Sequence, residues 1–366
     1  MKKVGLIGWR GMVGSVLLDR MIKENDFKDF ESYFFTTSQQ GQKAPVFENA
    51  NDTLLDAFDI NELQKMDILL SCQGGEYTKE VYGKLRESGW KGYWIDAASA
   101  LRMNKESLIV LDPVNRGLIE EYIAKGGKEL IGGNCTVSLL LIALDGLFKE
   151  GLIDWISSMT YQAASGAGAK NMIELLSQMQ KVGHKLASHP SADALFLEKE
   201  MTQLMNSNDF PTQNFGHPLA LNVLPWIDVE MPSGQSKEEW KAQVEANKIL
   251  GNHNEEVKID GSCVRVGALR SHSQGLTIKL KKSTDIKTVE DLLKNANPWV
   301  NFVENNKADS LKNLTPAAVS GTMNVAIGRV RKMTLGDEYI NAFTVGDQLL
   351  WGAAEPLRCV LKMLVN

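Results

Sequence analysis

A single cysteine lies where an apolar helix is expected to begin. Residues 132–136 read Gly-Gly-Asn-Cys-Thr and precede an apolar run over 139–148, which places Cys135 at or near a helix N-terminus. The helix dipole and the unsatisfied amides there stabilise a thiolate and lower the thiol pKa from its free value of about 8.5. Beside a nicotinamide, such a thiolate indicates aldehyde oxidation through a thiohemiacetal and a thioester.

The other three cysteines, Cys72, Cys263 and Cys359, form no Cys-x-x-Cys pair. The sequence therefore encodes neither a zinc ribbon nor a dithiol redox motif, and we expect these thiols to be small buried side chains. No metal site is predicted.

A glycine-rich turn follows the first apolar run. Residues 8–14 read Gly-Trp-Arg-Gly-Met-Val-Gly, between a strand candidate at 4–7 and a helical pattern that begins at Met12. Glycines in this context let backbone amides approach a pyrophosphate, and the helix N-terminus contributes the positive end of its dipole. The spacing is a variant of the dinucleotide fingerprint, and an ordinary tight turn is the alternative.

The end of the next apolar run indicates which nucleotide is bound. An NAD site usually places an acid there for the ribose 2′-hydroxyl. Here the run ends in Thr36, Thr37 and Ser38 with no acid. Their hydroxyls and amides suit a 2′-phosphate, with Arg10 on the adenine side, so we predict NADP.

Length and composition describe an ordinary globular protein of about two domains. The 366 residues are 43% hydrophobic and 23% charged, which excludes a miniprotein, a disordered chain and a collagen. The net charge of -5 gives no electrostatic footprint for nucleic acid or an anionic membrane. The first apolar stretch ends at Ile7 and the longest, over 137–144, is too short to cross a bilayer, so we expect a cytoplasmic protein.

The first 133 residues alternate short apolar runs with helical patterns. The strand candidates are 4–7, 33–35, 67–70 and 93–95, and the helix candidates are 12–22 and 77–85. This alternation predicts an α/β fold with a parallel sheet, and the glycine turn makes it a Rossmann-like dinucleotide-binding domain.

The rest of the chain has a different pattern. Strand candidates lie at 155–161, 258–266, 276–282, 329–333 and 342–345, and helix candidates at 170–205, with a break near Pro190, and at 347–365. Residues 210–234 carry four of the ten prolines and are predicted to form an ordered surface loop. We expect an α+β domain with a mixed sheet and helices on one face.

Seven segments together resemble aspartate-semialdehyde dehydrogenase, in the bacterial, enterobacterial-type branch of that family. They are GWRGMVGS (8–15), SCQGG (71–75), WIDAAS (94–99), GGNCT (132–136), YQAASG (161–166), RVGALR (265–270) and GDQLLWGAAEP (346–356). The resemblance implies NADPH-dependent reduction of L-4-aspartyl phosphate to L-aspartate 4-semialdehyde and phosphate. This reaction lies on the routes to diaminopimelate and lysine, threonine and methionine.

The resemblance assigns the chemistry to three side chains. Cys135 is the acyl-forming nucleophile, Gln162 holds the acyl group or the thiolate environment, and His272 passes a proton with a pKa near 6.5. We expect the remaining histidines at the surface: His184, His189, His217 and His253.

The resemblance also implies a site for a carboxylate, an ammonium and a phosphate. Arg265 grips the α-carboxylate through two parallel hydrogen bonds, and Glu238 faces the α-amino group. Lys241 and Arg102 hold the phosphate, with Asn134 beside them. By spacing alone, Glu238 and Lys241 are three residues apart on a helix, which is typical of a solvated surface ion pair.

Arg265 and His272 present a difficulty of register. Seven positions apart on an uninterrupted strand, they would face opposite sides of the sheet. We therefore expect a bulge or turn at Gly267 that brings both side chains to one cleft.

By the same resemblance, the NADP site draws on several segments of the chain. Its expected residues are Gly8, Arg10, Gly11, Met12, Val13, Thr37, Ser38, Gln73, Ser165, Gly166 and Gln348. The family's plan implies an NADP-binding domain over 1–133 and 356–366, a catalytic and dimerisation domain over 134–355, and a homodimer. The expected partners are small-molecule substrates, without nucleic acid or membrane.

Two other interpretations remain open. A related acyl-phosphate reductase, such as N-acetyl-glutamyl-phosphate reductase or a phosphorylating glyceraldehyde-phosphate-type dehydrogenase, would share the two-domain plan and the cysteine. Glu238 argues against the first, because an acetylated amine carries no positive charge. A non-catalytic NADPH-binding regulatory protein would need only the glycine turn and would leave Cys135, Gln162 and His272 without a role.

Overall fold

The computed structural model describes residues 1–191, 193–252 and 256–366. The strands form two seven-stranded sheets, one in the first third of the chain and one in the remainder. The strands are β1 (Lys3–Ile7), β2 (Glu31–Thr36), β3 (Leu55–Asp56), β4 (Ile68–Ser71), β5 (Tyr93–Asp96), β6 (Ser107–Val110), β7 (Glu129–Gly132), β8 (Ile153–Gln162), β9 (Val223–Leu224), β10 (Lys258–Val266), β11 (His272–Leu280), β12 (Val300–Phe302), β13 (Val325–Met333) and β14 (Gly336–Gly346). The α-helices are α1 (Met12–Lys23), α2 (Ile60–Leu63), α3 (Gly75–Glu87), α4 (Asp112–Ala124), α5 (Cys135–Lys149), α6 (Ala169–Ala187), α7 (Ala194–Met205), α8 (Lys237–Leu250), α9 (Ile286–Lys294), α10 (Lys307–Asn313), α11 (Pro316–Val319) and α12 (Glu355–Val365).

The first sheet is parallel, in the order β3-β2-β1-β4-β5-β7-β6. Its strands are apolar on both faces because helices cover both: α1, α4 and α12 share one buried core with β1, while α2 and α3 pack on the other side. The predicted Rossmann-like sheet is confirmed. In such a sheet, ligands bind beyond the carboxyl ends of the strands, and this is the edge from which the glycine turn leaves β1.

The second sheet is mixed, in the order β12-β13-β14-β11-β8-β10-β9. Its buried face packs on α5, α8 and α9 in one large core that includes Ile156, Ile259 and Ile278. The predicted mixed sheet with helices on one face is confirmed. On the other face of β8, Met159 and Tyr161 are 41% and 42% exposed.

The last part of the chain returns to the first sheet. Residues 350–354 form a single π-helical turn, and α12 follows with Leu357, Val360 and Leu361 buried in the core around β1. The sequence predicted one continuous helix over 347–365. The structure differs because the π turn carries Gly352 past Cys135: a Cβ on this glycine would lie only 2.7 Å from the Cys135 Cβ.

Two further sequence expectations need correction. Residues 210–234 are not only a surface loop, because Leu219 and Ala220 are buried and β9 pairs antiparallel with β10 at the sheet edge. His189 is half-buried, whereas His184 and His217 are exposed as expected and His253 lies outside the described residues. No helix in the described ranges combines the length and apolar character that crossing a membrane requires.

Candidate active site

Cys135 is the first residue of α5, as the sequence predicted. Asn134 caps this helix: its Oδ1 accepts hydrogen bonds from the amides of Thr136 at 2.9 Å and Val137 at 3.2 Å. The cap fixes the turn between β7 and α5, so the thiol is presented at the helix N-terminus.

Helix α8 holds this turn from the opposite side through two buried acids. Glu245 Oε2 accepts a hydrogen bond of 2.8 Å from the Asn134 amide, and Glu238 Oε1 accepts one of 2.9 Å from Asn134 Nδ2. The sequence interpretation missed Glu245. Its position seven residues after Glu238 was the available signal, because two helical turns bring the residues onto one face.

Gln162, Arg265 and His272 come together on three neighbouring strands. Arg265 on β10 pairs in register with Gln162, the last residue of β8, and His272 begins β11 on the other side of β8. Of the bulge or turn expected at Gly267, the structure has the turn: a five-residue connection over 267–271 joins two separate strands. This connection crosses the end of β8, which removes the register difficulty.

The backbone of Ala163 positions both flanking side chains. Its amide donates to His272 Nδ1 at 3.1 Å, and its carbonyl accepts from Arg265 Nη1 at 2.8 Å. Gly166 allows the two groups to converge: a Cβ there would lie 2.8 Å from Arg265 Nη1 and 2.8 Å from His272 Nε2. Any larger residue at this position would displace them.

His272 is a neutral imidazole in this setting. Burial, with the nearby Arg265 adding to the effect, lowers the pKa of His272 to about 3. Because Nδ1 accepts from the Ala163 amide, the ring hydrogen resides on Nε2, which is buried and has no hydrogen-bond partner among the described residues. His272 is therefore arranged as a hydrogen-bond donor, whereas the sequence interpretation expected a side chain that titrates near pH 6.5.

Arg265 is a buried cation without an acidic partner in the described part of the chain. Arg265 is 6% exposed, and its guanidinium donates a hydrogen bond to a backbone carbonyl rather than to a carboxylate. Burial lowers the pKa of Arg265. An uncompensated guanidinium in a cleft favours the binding of a carboxylate or phosphate.

Lys241 lies in the same cleft, so the ion pair predicted from spacing exists but is not on the surface. Lys241 Nζ contacts Asp228 Oδ2 at 2.7 Å and Glu238 Oε2 at 3.1 Å, and its side chain is 12% exposed. Glu238 also accepts a hydrogen bond of 3.2 Å from Gln162 Nε2. Asp228 is a second site residue that the sequence interpretation missed, since nothing in its loop distinguishes it from other exposed acids.

Arg102 makes more contacts within the protein than a side chain that only binds phosphate would need. Its guanidinium pairs with Glu245 at 3.0 Å and donates to the carbonyls of Gly132 at 2.8 Å and Gly133 at 3.2 Å. These contacts fix the end of β7 just before the nucleophile turn. Arg102 still borders the cleft, so a positioning role accompanies its predicted contact with phosphate.

One cleft of about 580 Å³ collects most of the predicted residues. From the predicted catalytic and substrate sets it is lined by Cys135, Gln162, Arg265, Glu238, Lys241, Arg102 and Asn134, and from the cofactor set by Met12, Val13, Ser165, Gly166 and Gln348. The cleft lies between the glycine turn of the first sheet and the strand ends of the second. A dinucleotide on the first sheet would therefore reach the thiol on α5.

The Cys135 thiol differs from the sequence expectation in its protonation. Burial raises the pKa of Cys135 to about 12, and Glu238 adds to this, while Arg265, Arg102 and Lys241 oppose it. The helix N-terminus was expected to lower the pKa. The difference arises because the protein buries the thiol away from water and beside a carboxylate.

The glycine turn has the shape that a dinucleotide requires. Gly8 has φ +72°, and a Cβ there would lie 2.5 Å from the backbone at Cys72 and Gln73. A Cβ on Gly14 would lie 2.2 Å from the Gly8 carbonyl oxygen. Gly11 is the residue before α1 and has no side chain to cap the helix, and the first turn carries no acid. The amides of the first helical turn are therefore available to an anion.

The predicted adenosine side is also pre-arranged. Arg10 Nη2 donates to Thr36 Oγ1 at 2.6 Å, which holds the guanidinium at the end of β2 beside the exposed Thr37 and Ser38. Gln73 is exposed next to Gly8 on the neighbouring strand end. A cation, two hydroxyls and no acid at this point fit a phosphorylated ribose.

Gln348 joins the cofactor side of the cleft to the histidine. Its Nε2 donates to Ser165 Oγ, and its Oε1 accepts a hydrogen bond of 2.7 Å from the amide of Ser271. Ser271 has a left-handed backbone with φ +74° immediately before His272. Gln348 therefore fixes the strained residue that sets the start of β11.

Comparisons with known proteins agree with this architecture. The first sheet region matches the family model described as semialdehyde dehydrogenase, NAD binding domain, over residues 3–122. Residues 144–351 match the model described as semialdehyde dehydrogenase, dimerisation domain. Together these define a semialdehyde dehydrogenase with a nucleotide-binding and a dimerisation domain.

Comparison with solved structures identifies the kind of semialdehyde dehydrogenase. An aspartate semialdehyde dehydrogenase from Francisella tularensis is 53% identical over 100% of both chains, with a TM-score of 0.97. Aspartate semialdehyde dehydrogenase II from Vibrio cholerae, at 23% identity over 100% of this chain and 98% of that chain, shares the fold with a TM-score of 0.80. The enzyme from Candida albicans, solved with NADP, does so with a TM-score of 0.65 at 17% identity over 100% of this chain and 98% of that chain. The chain belongs to the aspartate-semialdehyde dehydrogenase family.

Proposed function

We propose that this protein catalyses the reversible NADPH-dependent reduction of L-4-aspartyl phosphate to L-aspartate 4-semialdehyde and phosphate, with Cys135 as the acyl carrier. One observation carries the proposal: Cys135, at a helix N-terminus, faces a cleft that also contains the buried and uncompensated cation Arg265. A thiol with such a cation suits an anionic acyl substrate. The reaction supplies an intermediate for lysine, threonine and methionine biosynthesis.

The charges of the cleft match those of the substrate. Arg265 takes the α-carboxylate, where its planar fork forms two parallel hydrogen bonds. Glu238 takes the α-ammonium and Lys241 the phosphate. Glu238 also distinguishes this substrate from an N-acetylated analogue, which has no positive charge to offset a buried carboxylate.

Acyl transfer proceeds on Cys135. Its sulfur attacks the acyl carbon, the bond from that carbon to the phosphate oxygen breaks, and the thiol proton leaves with the phosphate, which departs towards Lys241 as hydrogen phosphate. His272 donates from Nε2 to the carbonyl oxygen on which charge develops, as a neutral imidazole does in other enzymes. Gln162, held by Glu238 and Thr160, borders the acyl group.

NADP fits the chain's own residues. The glycine turn and the uncapped N-terminus of α1 hold the pyrophosphate, Arg10, Thr37 and Ser38 hold the 2′-phosphate, and Gln73 borders the ribose path. Ser165, Gly166 and Gln348 line the cleft that also contains Cys135, and they would hold the nicotinamide end there. When bound, the reduced cofactor supplies the hydride that converts the thioester to the aldehyde.

We also propose the domain division and the assembly. Residues 1–133 with 356–366 form the NADP-binding domain, and 134–355 form the catalytic and dimerisation domain, in a homodimer. The packing of Leu357 and Val360 against the core of β1 supports the return of the C-terminus to the first domain.

Exposed apolar side chains on β8 and α6, including Tyr161, Ile173 and Leu176, support a protein interface. Light scattering should give twice the chain mass, and a monomer would contradict this.

The reaction is tested by following NADPH formation from L-aspartate 4-semialdehyde and NADP with and without phosphate. We expect formation that depends on phosphate, and a much smaller rate with N-acetyl-glutamate semialdehyde. Equal rates with both aldehydes would favour a broader acyl-phosphate reductase. Binding of NADPH without turnover of either would favour the non-catalytic interpretation.

A further inference from the structure

Lys241, the cation proposed to receive the phosphate, has two acidic partners within the cleft. Its Nζ lies 2.7 Å from Asp228 Oδ2 and 3.1 Å from Glu238 Oε2. The two acids differ in setting: the Glu238 side chain is 8% exposed and fixed by Asn134 and Gln162, whereas the Asp228 side chain is 31% exposed. Asp228 is therefore the partner that can move.

The backbone at Asp228 is unusual for its residue type. Asp228 has φ +74°, in the left-handed region that most side chains avoid. Its Oδ1 accepts from the Val229 amide at 2.8 Å, and its carbonyl accepts from the Trp226 indole at 2.9 Å. Trp226 and Val229 are themselves 47% and 60% exposed. The backbone of this segment is held by the Lys237 amide, which donates to the Val229 carbonyl at 2.8 Å, while the Asp228 side chain is held by Lys241.

Substrate binding requires an exchange of ion pairs. The ammonium of the substrate replaces Lys241 as the partner of Glu238, and the phosphate becomes the partner of Lys241. Asp228 then lies beside an incoming dianion and has lost its cation. The phosphate carries two negative charges and competes with the Asp228 carboxylate for the same ammonium, so the two groups repel each other.

We propose that Asp228 and the phosphate group compete for the same position on Lys241, so that Asp228 is displaced when the phosphate group binds. This inference rests on the proposed function. Asp228 is a positioning residue that keeps Lys241 in the cleft between turnovers, and its displacement sets the affinity for phosphate. Removal of its charge strengthens phosphate binding.

The test compares Asp228→Asn and Asp228→Gly with the unmodified protein. Both replacements tolerate a left-handed backbone at least as well as aspartate, so folding should be retained. In semialdehyde oxidation we expect the KM for phosphate to fall about three- to tenfold, while the KM for NADP stays within about twofold. Calorimetry with inorganic phosphate alone should show the same decrease in the dissociation constant. Glu230→Gln, an exposed acid two residues along the same loop, serves as the control and should change neither value.

The outcomes separate this inference from the reaction on which it depends. An unchanged or higher KM for phosphate in both Asp228 variants would overturn it and would mean that Asp228 instead orients Lys241 for binding. Absence of phosphate-dependent turnover in the unmodified protein would overturn the proposed function. In that case phosphate titrations of the two variants would still decide whether Asp228 competes for Lys241.

Discussion

Glu245 accepts a hydrogen bond of 2.8 Å from the backbone amide of Asn134, the residue before the candidate nucleophile. The same carboxylate pairs with Arg102, which in turn holds the carbonyls of Gly132 and Gly133. One buried acid on α8 thus fixes the backbone that leads into Asn134. The thiol position depends on this contact between helices that are distant in sequence.

Replacement of Glu245 by glutamine should therefore impair both stability and chemistry. Gln retains an acceptor for Asn134 but leaves the Arg102 guanidinium buried without a counter-charge, which should cost about 2–4 kcal/mol in the free energy of unfolding. Urea denaturation measures the loss, and kcat should fall while the KM for NADP changes little. Glu150→Gln, at the exposed end of α5, is the matched control. A Glu245→Gln protein as stable as the unmodified chain would show that this pair is dispensable.

Arg265 and Lys241 should respond differently to exchange of their cations. Arg265→Lys loses the bidentate contact with a carboxylate in a closed cleft. This should cost about 2–4 kcal/mol of transition-state stabilisation, so kcat/KM for the semialdehyde should fall roughly 30- to 1000-fold. Lys241→Arg keeps a positive charge beside Glu238 and should change mainly the KM for phosphate. Steady-state kinetics with each substrate varied in turn distinguishes the two. Greater damage from Lys241→Arg would mean that the substrate roles are reversed.

Buried His272 should make stability depend on pH. Its pKa is lowered to about 3 in the folded state against about 6.5 in the unfolded chain, so only the unfolded state gains a proton as the pH falls below 6.5. The folded state should lose about 1 kcal/mol between pH 7.5 and 5.5 from this group. His272→Asn, which keeps an acceptor for the Ala163 amide, should lack that loss. Buried Asp96, whose pKa burial raises to about 6, contributes with the opposite sign in both proteins and cancels from the comparison.

Unfolding of the two proteins at both pH values by urea gives the difference directly. If His272→Asn lost as much stability on acidification as the unmodified protein, His272 would not be neutral in the fold.

Specificity for NADP should reside in the loop after β2. A carboxylate at position 38 would lie where the 2′-phosphate is expected, so Ser38→Asp should reduce kcat/KM for NADPH about tenfold or more relative to NADH. Ser38→Ala removes one hydrogen bond without adding charge and should have a smaller effect. The unmodified protein should prefer NADPH. A preference for NADH would show that Arg10 and Thr37 do not bind a phosphate.

The sequence predicted those parts of the fold and site that depend on local pattern. The alternation of apolar runs predicted the first sheet, and the glycine turn predicted that α1 begins at Met12, because period and turn chemistry are properties of neighbouring residues. The position of Cys135 at the start of α5 was predicted for the same reason. The roles of Arg265 and Glu238 came from resemblance to a family, not from any local signal.

Features that depend on long-range contacts could not be predicted in this way. The raised pKa of Cys135 and the lowered pKa of His272 arise from burial, which the residue types alone do not specify. Arg265 and His272 meet across β8, a relationship of strand order rather than of spacing. Glu245 and Asp228 were missed because their partners lie on other elements of the chain.

The central claim is that Cys135 carries the acyl group. The protein should be mixed with L-aspartate 4-semialdehyde and NADP in the absence of phosphate, quenched in acid and digested for mass spectrometry. We predict an aspartyl thioester on Cys135 that disappears when phosphate is added before the quench, and no adduct in Cys135→Ala. An adduct on Cys72, Cys263 or Cys359, or phosphate-dependent turnover that survives in Cys135→Ala, would contradict the account.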